Sequence, residues 1–242
     1  MSGFLGVVAA LNAEAQCFYK PPAEMGVSLG ISGMGPDLAR LAAARLVQEG
    51  VNALASWGIA AGLAEELRAG SLVLPHCLVA GRAQITVDEH WRQRLFSRLV
   101  ERLPVHGGAI AHTPIALSSR AQKASLHTET EAMAADMESM AVAQVARKAG
   151  LPFVAIRAIA DPFDLTLPHC VLNAVDDVGK SRLTKLLLGL ARSPLDLVPL
   201  IRLGIAFQQA LSTLRYVSKR AGPLLMASRS AALTELLPEP AR

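Results

Sequence analysis

Apolar positions in this chain follow two periods, and the alternation between the periods outlines a fold. Short apolar runs bounded by glycine, proline or polar residues recur at 3–11, 27–32, 51–57, 71–75, 77–87, 107–112 and 153–160, and they read as strands. Between them apolar residues return every three or four positions. One such helix is opened by Pro36 and Asp37 and ended at Gly50, and another is amphipathic from Asp88 to Leu103. The stretch from Asp136 to Asp161 holds both periods. Glu138 shares a helical stripe with Ala141, Val142, Val145, Ala146 and Ala149, and Lys148, Gly150 and Pro152 end the helix. The strand that follows is interrupted by Arg157 and closed by Asp161-Pro162. Strands alternating with helices predict an α/β fold with a mixed, largely parallel sheet flanked by helices.

In sheets of this kind ligands bind outside the carboxyl ends of the strands, where Asp161 falls and where Glu14 follows the first apolar run. Gly33-Met-Gly35 before a helix start offers backbone amides to an anion, although a tight turn that needs glycine gives the same pattern. A carboxylate on an apolar face, as at Glu138, needs a partner. A buried Glu138–Arg157 ion pair is therefore the structural alternative to a role in chemistry.

Composition narrows the class. Of 242 residues 52% are hydrophobic but only 4% aromatic, and the mean hydropathy of +0.35 calls for an aliphatic, alanine-rich core. Residues 1–192 are expected to form one catalytic domain, and 193–242 an apolar-basic helical extension with a frayed end. The net charge of +4 comes without a Lys/Arg cluster interleaved with aromatics before the C-terminal segment, so no nucleic-acid partner is expected. Cys17, Cys77 and Cys170 make no C-x-x-C pattern and suit reduced thiols in the cytoplasm. The scattered histidines have no ligand spacing, so neither a metal nor another cofactor is expected. The apolar start lacks a basic leader, and no run reaches transmembrane length. Within 194–220, however, Leu200, Leu203, Phe207, Ala210, Leu211, Leu214 and Val217 form an apolar stripe beside Arg202, Arg215, Lys219 and Arg220. That pattern fits peripheral contact with the inner membrane or, alternatively, a helix packed on the core or on a second subunit.

Asp136-Met-Glu-Ser139 followed by Val154-Ala-Ile-Arg-Ala-Ile-Ala-Asp161 resembles the paired signatures of the purine nucleoside phosphorylase and methylthioadenosine nucleosidase superfamily. The resemblance runs from Gly3 to Asp161, and the C-terminal extension is most similar to the hopanoid-associated nucleosidase/phosphorylase group, implying adenosylhopane as a lipid-linked adenosine substrate. It implies that Glu138 binds the ribose hydroxyls, that Asp161 protonates the purine at N7, and that Glu14 activates water with Arg157 holding Glu14 or the water. Met137, Gly33, Gly35, Gly58 and Ala60 would line the nucleoside, and the resemblance carries a homodimer with it. Two departures stand out. Ile59 and Ala61 replace a hydroxyl residue and a glycine of the loop 58–62, and no aromatic occurs between Phe96 and Phe153 to stack on the base. Phe163, His112 and Phe18 are the candidates to cover it. The first-strand loop has Glu14 and no arginine, which favours hydrolysis. A phosphate-dependent phosphorylase and a catalytically silent nucleoside-binding protein remain the alternatives.

Overall fold

A computed structural model describes residues 5–18, 20, 22–166 and 197–225. The boundary at 192, Cys170 and the terminal tail lie outside the described residues. Among the described residues ten strands form a mixed sheet: β1 Leu5–Ala9, β2 Val27–Ile31, β3 Ala53–Gly62, β4 Leu72–Val73, β5 Cys77–Ala80, β6 Ala83–Thr86, β7 Val105–His106, β8 Ala109–His112, β9 Ala134–Asp136 and β10 Phe153–Asp161. The helices are α1 Asn12–Ala15, α2 Pro36–Gln48, α3 Glu89–Leu99, α4 Arg120–Thr130, α5 Ser139–Lys148 and α6 Leu197–Leu225. The α/β class with a helix-flanked sheet is as the periodicity indicates.

β3 organises the sheet because it is long enough to serve three neighbours. Residues 53–57 pair with β1 in parallel, residues 54–61 pair with β10 in parallel on the other edge, and Ala61 and Gly62 pair antiparallel with β9. The segment 58–62, which the sequence suggests as a loop, is therefore strand. Alternation along β3 and β10 sorts side chains between two apolar layers. Ala53, Ala55 and Trp57, with Val154, Ile156 and Ala158, face α3 and α6, while Leu54, Ala60, Phe153, Ala155 and Ile159 face α2 and α5. Ser56 and Arg157 fall in the second set of positions, so two polar groups are carried onto the same face of the sheet.

α6 is embedded in the first layer. Ala210, Leu211, Leu214 and Val217 are buried against the sheet and α3, so that part of the stripe is unavailable to lipid. The large apolar residues that α6 exposes are Val198, Ile201 and Ile205, on a different line near its start. No described helix is long and apolar enough to cross a membrane.

Candidate active site

Four carboxylates and one guanidinium gather where β1, β9 and β10 end beside β3. Glu14 comes first in the chain. Its short helix α1 turns the carboxylate back toward the strand, where Oε2 accepts from the amides of Ala10 (2.9 Å) and Leu11 (2.8 Å). Oε1 accepts from Ile59 N at 2.9 Å, so Ile59 contributes its backbone amide to this site. Trp57 Nε1 donates to the Glu14 carbonyl at 3.0 Å, fixing α1 against β3. Burial pushes the Glu14 carboxyl above its ordinary value, against the pull of Arg157 and of the three backbone donors.

Arg157 is fully enclosed, with Nε donating to Asp136 Oδ2 at 2.5 Å and Nη2 donating to Ser56 Oγ at 2.7 Å. The buried ion pair is thus Asp136–Arg157, where the sequence suggested Glu138–Arg157. Gly58 is the spacer that lets Arg157 and Glu14 approach. A Cβ there would strike Glu14 Oε1 and would lie 2.7 Å from Arg157 Nη1.

Asp136 also accepts from Glu138 N (3.2 Å), Ser139 N (2.9 Å) and Ser139 Oγ. It thereby caps α5. Glu138, standing at the cap position itself, is released from that duty and reaches across to α2, where Oε1 accepts from Gly35 N at 2.7 Å. Gly35 has φ 103°, a conformation that favours glycine, and its amide serves the chain's own carboxylate. Burial, followed by repulsion from Asp136, pushes Glu138 up to about 7.

Asp161 terminates β10 after a register shift between Ile159 and Asp161, an irregularity that re-aims the strand end. Its Oδ1 accepts from Lys123 Nζ at 2.6 Å. Its side chain retains 13% exposure, and its Oδ2 has no hydrogen bond among the described residues. Burial raises Asp161 to about 6 although Lys123 pulls the other way.

The candidates to cover a base part company here. Phe18 stacks on Trp57 with ring centroids 5.0 Å apart, inside the packing of α1. His112 pairs with Asp136 in the β8–β9 register, and its buried Nδ1 has no hydrogen-bond partner among the described residues. Phe163 follows Asp161 by two residues and lies under the Arg120 guanidinium at 4.8 Å. Met137 and Ala60 join the same region through the 136–139 turn and β3, as do Gly33 and Gly35 through the turn before α2. Sequence reasoning nominated neither Lys123 nor Ser56, and quoted Asp136 without giving it a role. The signal at Lys123 is weak, because within α4 its helical line holds Leu126 as a single apolar residue beside His127. Among the described residues no group of three or more His, Cys, Asp or Glu could hold a metal.

With this geometry in place, a family model described as the Phosphorylase superfamily matches residues 17–191, and the chain belongs to that family. Glu14 stands just ahead of the matched range. Among solved structures, futalosine hydrolase of Helicobacter pylori strain 26695 superposes with a TM-score of 0.67 at 18% identity, covering 91% of this chain and 97% of that one. The 5′-methylthioadenosine/S-adenosylhomocysteine nucleosidase of Neisseria meningitidis, in complex with methylthio-immucillin-A, gives a TM-score of 0.67 at 17% identity, covering 92% and 98%. The Helicobacter pylori enzyme of the same name, with butyl-thio-DADMe-Immucillin-A, gives 0.64 at 17% identity, covering 90% and 99%. At these identities the likeness is one of fold. No curated protein sequence matches the chain.

Proposed function

We propose that this protein hydrolyses the N-glycosidic bond of an adenosine-type nucleoside. The observation that carries the reading is the placement of Glu14: a buried carboxylate with three amide donors, next to Arg157, at the carboxyl end of β1. Such a group can accept a proton from water attacking C1′. As the C1′–N9 bond breaks, its electron pair moves into the purine and Asp161 supplies a proton at N7. The sugar gains oxocarbenium character, and Glu138 holds its hydroxyls through contacts that tighten with that charge. Arg157, committed to Asp136 and Ser56, acts as a fixed positive charge beside Glu14. Two acids with opposite protonation duties, Glu14 ionised and Asp161 protonated, make up the pair.

The reading extends to adenosylhopane, an adenosine joined to an apolar lipid, and to a cytoplasmic homodimer. The resemblance of the C-terminal extension to the hopanoid-associated group supports the substrate. So does the exposed line Val198, Ile201 and Ile205, where Arg202 Nη2 meets Asp164 of the loop after Asp161 at 3.2 Å. That line is the surface we assign to peripheral membrane contact.

The test is adenine release from adenosine, 5′-methylthioadenosine and a 5′-alkyl adenosine in phosphate-free buffer. Release without phosphate, fastest for the alkyl compound, is expected. Strict dependence on phosphate would give the reaction to a phosphorylase, and binding without release would make the protein a nucleoside binder.

A further inference from the structure

α4 is a polar helix whose one buried residue is a lysine. Among Arg120–Thr130, Lys123 alone is buried, and its side chain has 0% exposure. A lysine so enclosed is stable only if its ammonium is paired and hydrogen-bonded throughout. Its Nζ donates to Asp161 Oδ1 at 2.6 Å, to Pro162 O at 2.8 Å and to Leu165 O at 2.8 Å. Three acceptors match the three protons of an ammonium, whereas a neutral amine would leave one acceptor without a donor. The geometry therefore holds Lys123 as a cation.

We propose that Lys123 is a positioning residue for the leaving-group acid: its ammonium grips Asp161 by Oδ1 and the 162–165 turn by two carbonyls. It thereby leaves Oδ2 to the base and stabilises the carboxylate that remains once the proton has gone. The inference rests on the proposed glycosidic cleavage, in which the Oδ2 proton passes to purine N7 as the C1′–N9 bond breaks. Asp161 then carries the negative charge, and Lys123 stays protonated. A relay that drew the proton from Lys123 itself would leave a neutral amine among three acceptors, so the ammonium acts as a fixed charge.

The second consequence concerns acid strength. Burial alone makes a carboxyl a weak acid, and the cation offsets that burial, leaving Asp161 at about 6. Among the described residues the charged groups around Asp161 are Lys123 from α4 and Asp164 from the following turn. Asp164 is paired with Arg202 of α6, and Arg120 of α4 is paired with Glu65. Asp164 opposes Lys123 but is half exposed, so the lysine is the larger influence.

The test is the pH profile of kcat for Lys123→Met and Lys123→Arg, with a 13C carboxyl titration of Asp161 assigned by its loss in Asp161→Asn. Turnover needs Asp161 protonated, so wild-type kcat should fall as pH rises through the Asp161 value. Lys123→Met removes the influence that lowers this value. Its alkaline limb and its Asp161 titration should both move up by about one pH unit or more, with kcat at the optimum reduced roughly tenfold, a fraction of a general acid's contribution. Lys123→Arg keeps the cation and should keep the limb near its wild-type position. A limb and a titration that both stay put in Lys123→Met would overturn the proposal. Should Lys123→Met fail to fold, the wild-type titration decides: a value near 6 supports the cation's influence, and one above about 8, usual for an unassisted buried carboxyl, overturns it. The titration needs no turnover, so it separates failure of the lysine's role from failure of the cleavage reading.

Discussion

The two ends of the site are built on opposite plans. At the sugar end, Asp136, Arg157, Ser56 and Ser139 are locked into one network, and Glu14 and Glu138 are held by backbone amides of the turn after β1, of β3 and of the turn before α2. At the base end a single carboxylate, Asp161, is gripped by one oxygen, and its other oxygen has no hydrogen bond among the described residues. The difference fits the roles proposed for each end. A water-activating base and a hydroxyl holder must not move, and low local dielectric makes each fixed charge effective. A proton donor must instead keep one oxygen free for a ligand that arrives and leaves.

The sharpest way to break the sugar end is Glu14→Gln. Both carboxylate oxygens accept backbone N–H groups, so an amide would have to turn its NH2 against Ile59 N or against the amides of Ala10 and Leu11. We expect kcat to fall by about 100-fold or more, and stability by about 1–3 kcal/mol from the mismatched buried donors, read by steady-state kinetics and urea denaturation. Gly58→Ala comes next. Its Cβ would strike Glu14 and press on Arg157, so a loss of about 1–3 kcal/mol and a comparable kinetic defect are expected, although no catalytic side chain is changed. Wild-type turnover in Gly58→Ala would show that the approach of Glu14 and Arg157 is irrelevant to function.

Glu138→Gln sharpens the comparison because activity and stability should part. Burial raises the Glu138 carboxyl to about 7 when folded, above an ordinary 4.5. For an acid raised in the native state, the folded chain binds more protons, and stability is lost as pH rises from the unfolded to the folded value. Above pH 7 the ionised Glu138 therefore costs on the order of 1–3 kcal/mol, a cost that the neutral amide avoids while still accepting from Gly35 N. We expect Glu138→Gln to melt several degrees higher than wild type at pH 8, with the gain fading toward pH 5, and to lose most of its turnover. A lower melting point at pH 8 would mean that the ionised carboxylate is stabilising.

The smallest effect is expected at the rim of the base end. The Arg202–Asp164 pair is 59% and 54% exposed at its two side chains, so Arg202→Ala should change stability by no more than about 0.5 kcal/mol. A larger loss in thermal denaturation would show that α6 braces the 162–165 turn.

The sugar end was the more legible in sequence, for a physical reason. Glu138 and Arg157 announce themselves as charges inside apolar periodic runs, and Glu14 as a charge just past a buried strand. What periodicity could not supply was the pairing. Asp136 ends β9, which was not foreseen, and the three-residue strand is too short to carry a periodic signal. Arg157 therefore found a partner that spacing alone would not choose. The segment 58–62 reads as a loop through its resemblance to the family's glycine element, yet β9 and β10 pair with it on its two edges and make it strand. The base end was the least legible. Lys123 sits on a helix of polar composition that no apolar stripe marked out, and its burial depends on contacts with residues 38 to 42 positions away. The apolar stripe of α6 was visible, but whether it meets lipid or core is decided by the packing of β10 and α3 against it.

If Glu14 activates water for attack on C1′, the new oxygen on the sugar comes from solvent. Running the reaction with an adenosine-type nucleoside in 18O-water, with and without phosphate, tests it most directly. We expect adenine release at equal rates in both, with 18O on C1 of the free sugar, and loss of that labelled product in Glu14→Gln. An unlabelled ribosyl 1-phosphate formed only when phosphate is present would contradict it.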